Sequence, residues 1–288
     1  MAEFVMLVGL PGSGKTTWAE SQEGYEVYSS DGIREELGDV YDQTKNEKVF
    51  RILHKRIKEG LLCGKNCIFD ATNVNAKKRR AFLDEIKGIN CHKVARVFVR
   101  PFDSIREQNE KRTRVVPPEA IKKMLYRWQT PIIQEGLDEI VLDVQPCEWD
   151  FCDIEQDTKH HTLSLSEHMA VAARNASKFG GDKDVIATAA IHDIGKYWTK
   201  TFTDSKGYPT LEAHYFSHEN VGAYLSLFGT GDDEIDKHIL TISGLITWHM
   251  RPFVWDEHPN VREKDCKWMG DDLIKDLELL HRADVEAK

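Results

Sequence analysis

The stretch Phe4-Val5-Met6-Leu7-Val8 followed by Gly9-Leu10-Pro11-Gly12-Ser13-Gly14-Lys15-Thr16-Thr17 decides the fold of the first half of the chain. The apolar run predicts a buried strand, the next eight residues have the G-x-x-x-x-G-K-[ST] spacing of a phosphate-binding loop, and Lys15 to about Ser21 predicts a helix. Glycines let backbone N–H groups turn inward around phosphate oxygens, and the helix N-terminus adds partial positive charge. Lys15 can neutralise the β- and γ-phosphates of ATP, and the Thr16 hydroxyl can hold Mg²⁺. Gly12, Ser13, Gly14, Lys15, Thr16 and Thr17 are therefore candidate nucleotide-binding residues. An ordinary glycine-rich turn between strand and helix would have no use for the lysine and the hydroxyl.

Outward from the loop, Tyr25 to Tyr28 predicts a second strand, ending in Ser29-Ser30-Asp31-Gly32-Ile33-Arg34. In open parallel α/β sheets the ligand crevice lies at the carboxyl ends of the strands, so Asp31 and Arg34, one helical turn apart, project into it. An aspartate there can take a proton from an attacking hydroxyl, and an arginine can fork onto a phosphate. The bland alternative is an N-cap aspartate beside a surface arginine. Val49, Ile52, Leu53, Ile57 and Leu61 fall at helical spacing and predict a packing helix over 44–62. Cys67 to Phe69 leads as a strand into Asp70-Ala71-Thr72-Asn73, which places Asp70 to orient Mg²⁺ or its water. A basic amphipathic helix follows over 76–86, then a strand over 94–99. Residues 103–127 predict two helices broken at Pro117-Pro118, a basic lid carrying Lys111, Arg112 and Arg114.

These elements together resemble the kinase domain of bacteriophage-type polynucleotide 5′-kinases: the loop Gly9–Thr16, the Asp31-x-x-Arg34 pair, Asp70-Ala71-Thr72-Asn73 with its trailing Arg79-Arg80, and Asn109-Glu110-Lys111-Arg112 ahead of Val116-Pro117. The resemblance covers roughly residues 1 to 140. It implies that Lys15 and Thr16 serve ATP and Mg²⁺, that Asp31 is the general base on the 5′-OH, that Arg34 holds the acceptor's phosphate, and that Arg112 is the lid arginine. Where that family often places a further lid arginine, four residues before Arg112, this chain has Gln108.

The 288 residues are about twice the usual size of a domain. The βα alternation stops near residue 150, where Pro146, Trp149 and several acids break the pattern, so the expected division is 1–150 and 151–288. Segments 164–179, 183–194, 213–228, 232–249 and 270–286 predict helices, giving an α/β P-loop kinase domain followed by an all-α domain. No apolar run approaches a membrane span and no signal peptide is evident, so a cytoplasmic protein with no membrane partner is expected. Six cysteines without a C-x-x-C pair are best taken as reduced thiols, mostly in the core. A net charge of −9 argues against non-specific nucleic-acid binding by the whole surface, although basic residues gather in the first half.

Of twelve histidines only His54 and His92 precede residue 150. The rest include Glu167-His168, then Ile191-His192-Asp193-Ile194-Gly195-Lys196, then His218-Glu219 and Trp248-His249; Asp284 follows near the end. A lone helical histidine is most often a packed core residue. Adjacent His192 and Asp193 on an alanine-rich helix would bury polar atoms at a cost that a metal offsets. The ordered set His168, His192-Asp193, Asp284 resembles the HD-domain metallophosphohydrolase signature over about 158–286. That resemblance implies His218 and His249 as extra ligands in a two-metal site and Lys196 as a phosphate contact. Imidazole and carboxylate ligands suit one or two ions such as Mn²⁺, Fe²⁺, Co²⁺, Ni²⁺ or Zn²⁺. The two resemblances imply an end-healing enzyme acting on RNA or DNA ends, with ATP as donor and a ligase acting downstream. The competing expectation is a nucleoside or metabolite kinase fused to an HD nucleotidase.

Overall fold

The computed structural model describes residues 1–38, 44–112, 114–148, 151–159, 162–229 and 231–287. Trp149, one of the residues expected to mark the junction, lies outside them. The chain forms two compact units, one of residues 1–121 with 135–145 and the other of 122–134 with 146–288. Segment 122–134 therefore counts with the second unit, whereas a single division at 150 assigns it to the first.

The first unit is a five-stranded parallel sheet flanked by helices. Its elements run β1 (Ala2–Gly9), α1 (Lys15–Glu20), β2 (Tyr25–Ser29), α2 (Ser30–Glu36), α3 (Asn46–Leu62), β3 (Asn66–Asp70), α4 (Ala76–Glu85), β4 (Cys91–Val99), α5 (Phe102–Glu110), the start of α6 (Pro118–Leu125) and β5 (Glu139–Val144). The strand order is β2-β3-β1-β4-β5. Phe4 pairs with Cys67 and Met6 with Phe69 on one side of β1, while Ala2 to Gly9 pair with Cys91 to Phe98 on the other. Central β1 is buried on both faces, as a parallel sheet covered by helices requires. In α3, Val49, Leu53, Ile57 and Leu61 form the buried stripe. Strand β5 was not expected from the sequence: its residues are half-buried or exposed, so the buried-strand signal is weak at this sheet edge.

The second unit is mostly helical: α7 (Leu165–Lys178), α8 (Lys183–Ala189), the short α9 (Lys196–Thr199), α10 (His218–Ser226), α11 (Asp233–Trp248), α12 (Arg251–Glu257), α13 (Pro259–Met269) and α14 (Asp271–Val285). Ser164 and Glu167 form a capping box at α7. Asp232 caps α11, which gives the acidic run 232–234 a local purpose. Two expectations are corrected. The helix expected over 213–228 begins only at His218, because 201–203 and 209–214 pair as an antiparallel hairpin, β6 (Thr201–Thr203) and β7 (Pro209–His214). His192 and Asp193 lie beyond α8, in the turns between α8 and α9, not on a helix. Trp128 explains the allegiance of 122–134: its ring meets Tyr224 edge-on, and its indole donates to Thr130, whose hydroxyl bonds Ser243. Of the cysteines, Cys67 and Cys91 are buried, and Cys63 and Cys152 are exposed, contrary to a mostly core placement.

Candidate functional site

The first candidate site lies at the carboxyl edge of the parallel sheet. The phosphate loop turns after β1 with Gly12 and Gly14 in the left-handed region, at φ of 84° and 89°. At Gly12 a Cβ would sit 2.6 Å from the Ile105 carbonyl, so the loop can approach α5 only with glycine there. Ser13 and Lys15 are buried, whereas Gly14, Thr16 and Thr17 are exposed above them. Lys15 Nζ donates to the Leu10 carbonyl at 2.8 Å and lies 3.2 Å from Ser13 Oγ. Burial, reinforced by Arg112 and Arg100 and opposed by Asp70 and Asp31, pushes the Lys15 ammonium down to about 8. Thr16 Oγ1 donates to Asp70 Oδ2 at 2.8 Å, which ties the start of α1 to the end of β3. An adjacent hydroxyl and carboxylate fit an Mg²⁺ ion in chemistry.

Asp31 is not the N-cap of α2. Ser29 takes that place, its hydroxyl accepting from the N–H groups of Asp31 and Gly32, which leaves the Asp31 carboxylate for other partners. Nor is Arg34 a surface residue: it is buried, and burial pulls its guanidinium below the ordinary value. Arg34 Nη1 lies 3.0 Å from Asp31 Oδ1, and its Nη2 donates to Asn46 at 2.6 Å. Arg112 reaches Asp31 Oδ2 at 3.4 Å, and Arg114 reaches Oδ1 more closely, at 2.7 Å. Three arginines thus converge on one carboxylate. The sequence marks Arg114 only as part of a basic lid. Asn109 holds that lid by accepting from the Val116 N–H and donating to its carbonyl. Below the site, fully buried Arg79 forks onto Glu135 at 2.6 and 2.7 Å and donates to the Asn73 carbonyl, fixing the turn after Asp70.

The second candidate site is a cluster of side chains from five segments. His168 on α7, His192 and Asp193 between α8 and α9, and Asp284 on α14 present ligand atoms within 4.8 Å of one another. Asp193, His218 at the start of α10 and His249 after α11 form another such group. Asp193 belongs to both. Its Oδ2 faces His168 and His192, each at 3.4 Å, while its Oδ1 faces His218 at 3.1 Å and His249 at 3.7 Å. Asp284 Oδ1 lies 3.0 Å from His168 Nε2 and 3.4 Å from His192 Nε2.

The rings are oriented from behind. In each of these four histidines Nδ1 bonds a backbone carbonyl: Ala287, Ala189, Tyr215 and Ile246 for His168, His192, His218 and His249, at 2.7 to 2.9 Å. A carbonyl only accepts, so Nδ1 carries a proton and Nε2 is the ring atom turned towards Asp193. His192 Nε2 is buried without a hydrogen-bond partner. Burial would lower the His168 imidazole, but Asp193 and Asp284 outweigh it and raise it to about 9. The Asp193 carboxyl, which burial would raise, is instead held well below its ordinary range by Lys196 and His192. This pocket demands positive charge, and the donor set fits divalent ions.

Lys196 completes the centre, 2.6 Å from Asp193 Oδ2 and 2.9 Å from Gln156 Oε1, with its ammonium 5.5 Å from the Tyr215 ring. Gln156 and Tyr215 had no sequence signal, since neither lies in a motif. Gly195 permits the assembly: a Cβ there would sit 2.0 Å from the His218 carbonyl. Ser217 takes a left-handed conformation, φ 62°, immediately before His218.

Residues 4–131 match a family model described as an AAA domain. Over 138 residues the chain is 29% identical to a putative bifunctional polynucleotide kinase/RNA ligase of Autographa californica nuclear polyhedrosis virus, covering 42% of this chain and 20% of that protein. Over 136 residues it is 28% identical to an L-seryl-tRNA(Sec) kinase of Methanococcus maripaludis, covering 44% of this chain and 53% of the relative. The matched stretch thus spans between a fifth and about half of these relatives. Among solved structures, the Pnkp1/Rnl/Hen1 RNA repair complex aligns with 22% identity and a TM-score of 0.36, over 43% of this chain and 42% of that one. A putative kinase from Chloroflexus aurantiacus J-10-fl aligns with 14% identity and a TM-score of 0.41, over 50% and 85%. The amino-terminal part is a kinase-type P-loop domain related to polynucleotide kinase and seryl-tRNA kinase. Among the described residues, no helix is long and apolar enough to cross a membrane.

Proposed function

We propose that this chain heals broken nucleic-acid ends, RNA in particular, with a 5′-hydroxyl kinase in residues 1–150 and an HD-type hydrolase of 3′-phosphate or 2′,3′-cyclic-phosphate ends in 151–288. The observation that carries this reading is the second cluster: four imidazoles aim Nε2 at a shared Asp193, in the same chain as a P-loop domain related to a polynucleotide kinase. Kinase and hydrolase together suit one break, whose two ends need opposite treatment before a ligase can seal them.

In the first site, loop N–H groups and Lys15 cradle the donor phosphates of ATP. Asp31 accepts the proton of the attacking 5′-OH, and Arg34 holds the phosphate one nucleotide along the acceptor. Arg112 and Arg114 face the same carboxylate and supply charge to the transferring phosphoryl group. Thr16 and Asp70 would hold Mg²⁺, which neutralises phosphate charge when bound. In the second site, His168, His192, Asp193, His218, His249 and Asp284 would hold one or two divalent ions, which supply Lewis acidity. Lys196 holds a phosphate oxygen beside them, and Gln156 and Tyr215 keep its ammonium in place.

The test of the kinase half compares acceptors with ATP and Mg²⁺. An oligonucleotide with a 5′-OH and a nucleoside 3′-monophosphate are expected to be phosphorylated, and a bare nucleoside far more slowly. Equal rates on all three would favour a small-molecule kinase.

A further inference from the structure

A cavity of about 470 Å³ opens onto the histidine cluster, a size within the roughly 300–1,000 Å³ of small-molecule sites. Its floor is charged: His168, Asp193, Lys196, His218 and Asp284 line it. Its rim has a different chemistry, with His214, Phe216, Met250 and Phe253. Phe216, Phe253 and Met250 are 42%, 39% and 36% exposed, an arrangement the core does not need. The Phe216 ring lies parallel to His214, with centroids 5.3 Å apart and planes within 4°, and Phe253 meets His281 edge-on at 4.3 Å. Phe216 is also fixed through its neighbours. Tyr215 bonds the Gln156 carbonyl with its hydroxyl, and His218 belongs to the cluster, so the left-handed turn at Ser217 sets the ring at the cavity mouth.

A floor that takes phosphate and a rim of flat rings suit a ligand with an anionic group at one end and a flat aromatic group at the other. We propose that this rim binds the nucleobase of the 3′-terminal nucleotide, stacked on Phe216 and flanked by Phe253 and Met250, so that the second site selects nucleotide ends over simple phosphate esters. This rests on the reading of the cluster as a site for phosphate ends. Stacking uses the π-face that every base possesses, so the platform tolerates all four bases.

Two readouts separate this proposal from the reading beneath it. The first is fluorescence of a 5′-phosphorylated oligonucleotide ending in 2-aminopurine 3′-phosphate, which stacking quenches whether or not hydrolysis occurs. The second is Mn²⁺-dependent phosphate release from the same end and from an abasic counterpart. The wild type is expected to quench the probe and to prefer the base-bearing end by roughly 10- to 100-fold in kcat/KM, the range that single-base stacking spans. Phe216→Ala and Phe253→Ala, at exposed positions, are expected to lose quenching and compress that preference several-fold. Hydrolysis without quenching, or with equal rates on both ends, overturns the base platform and leaves the hydrolase reading. Quenching that Phe216→Ala removes, without hydrolysis, supports the platform and overturns the hydrolase. Neither signal overturns both.

Discussion

The phosphate loop and the histidine cluster solve the problem of buried charge in opposite ways. Around the loop, each charged group has a hydrogen-bond or ion-pair partner: Lys15 donates to the Leu10 carbonyl, Asp70 accepts from Thr16, and Asp31 gathers Arg34, Arg112 and Arg114. In the cluster hydrogen bonds stand behind the rings, and the nitrogens that face inward include His192 Nε2, which has no hydrogen-bond partner. The loop therefore has local substitutes for its ligands and can rearrange its ion pairs when phosphate arrives. The rings of the cluster are held by backbone carbonyls, and its side chains form groups that could hold a metal ion.

That contrast can be broken first at Asp193, the residue common to both ligand groups. Asp193→Ala leaves Lys196, His218 and His249 without the Asp193 carboxylate and His168 and His192 with Asp284 alone, and hydrolysis at 3′ ends is expected to fall on the order of 10³-fold or more, as for residues that act as a unit. Elemental analysis should find the bound metal gone. His218→Ala or His249→Ala sharpens the same point: each removes a ligand from only one group, so a two-ion site would lose about one ion per chain. Retention of full metal content in Asp193→Ala would show that it does not bridge.

In the first site Lys15→Ala and Asp31→Ala are each expected to reduce 5′ phosphorylation by roughly 10²–10⁴-fold. Arg114→Ala is the sharper probe, because its contact with Asp31 is closer than that of Arg112. Loss of one charge-assisted contact of about 1.5–3 kcal/mol should lower kcat/KM by roughly 10- to 100-fold. An effect of Arg114→Ala within twofold of wild type would return it to the status of a solvated lid residue.

Smaller effects test the scaffolding. Gly195→Ala must displace the His218 carbonyl, so an overpacking cost of about 1–3 kcal/mol is expected in urea unfolding, together with weaker metal binding. Unchanged unfolding would mean that α10 shifts freely. The smallest effect is in pH dependence. Lys15 is charged below about 8 and neutral above it, and polyphosphate binding requires the charge. In EDTA, ATP affinity should hold below that pH and fall by up to about tenfold per unit above it, whereas Lys15→Arg should flatten the profile.

The two sites were not equally legible in the sequence. The loop is contiguous, and its spacing carries its chemistry, so Gly12 to Thr16 fall where the motif places them. Asp31 and Asp70 follow because strand ends of a parallel sheet converge on one edge. The contact of Arg114 with Asp31 has no sequence signature, because a basic lid does not reveal which charge turns inward. The cluster is spread from His168 to Asp284, and residue types in order suggested its members. Their shared focus on Asp193 depends on Gly195 allowing close approach and on carbonyls behind each ring, neither of which has a side-chain pattern. The hairpin of β6 and β7 was hidden because its short strands bury almost nothing: only Ala213 is buried, and Leu211 is 99% exposed. Gln156 and Tyr215, which place Lys196, could be found only after folding.

The most direct measurement uses one internally labelled oligoribonucleotide with a 5′-OH and a 2′,3′-cyclic phosphate, incubated with ATP, Mg²⁺ and Mn²⁺, and resolves both ends. Wild-type protein is expected to convert both, Asp193→Ala only the 5′ end, and Lys15→Ala only the 3′ end. A wild type that leaves cyclic-phosphate and 3′-phosphate ends untouched with every metal tried, or a single substitution that silences both ends, would contradict two separate active sites in this chain.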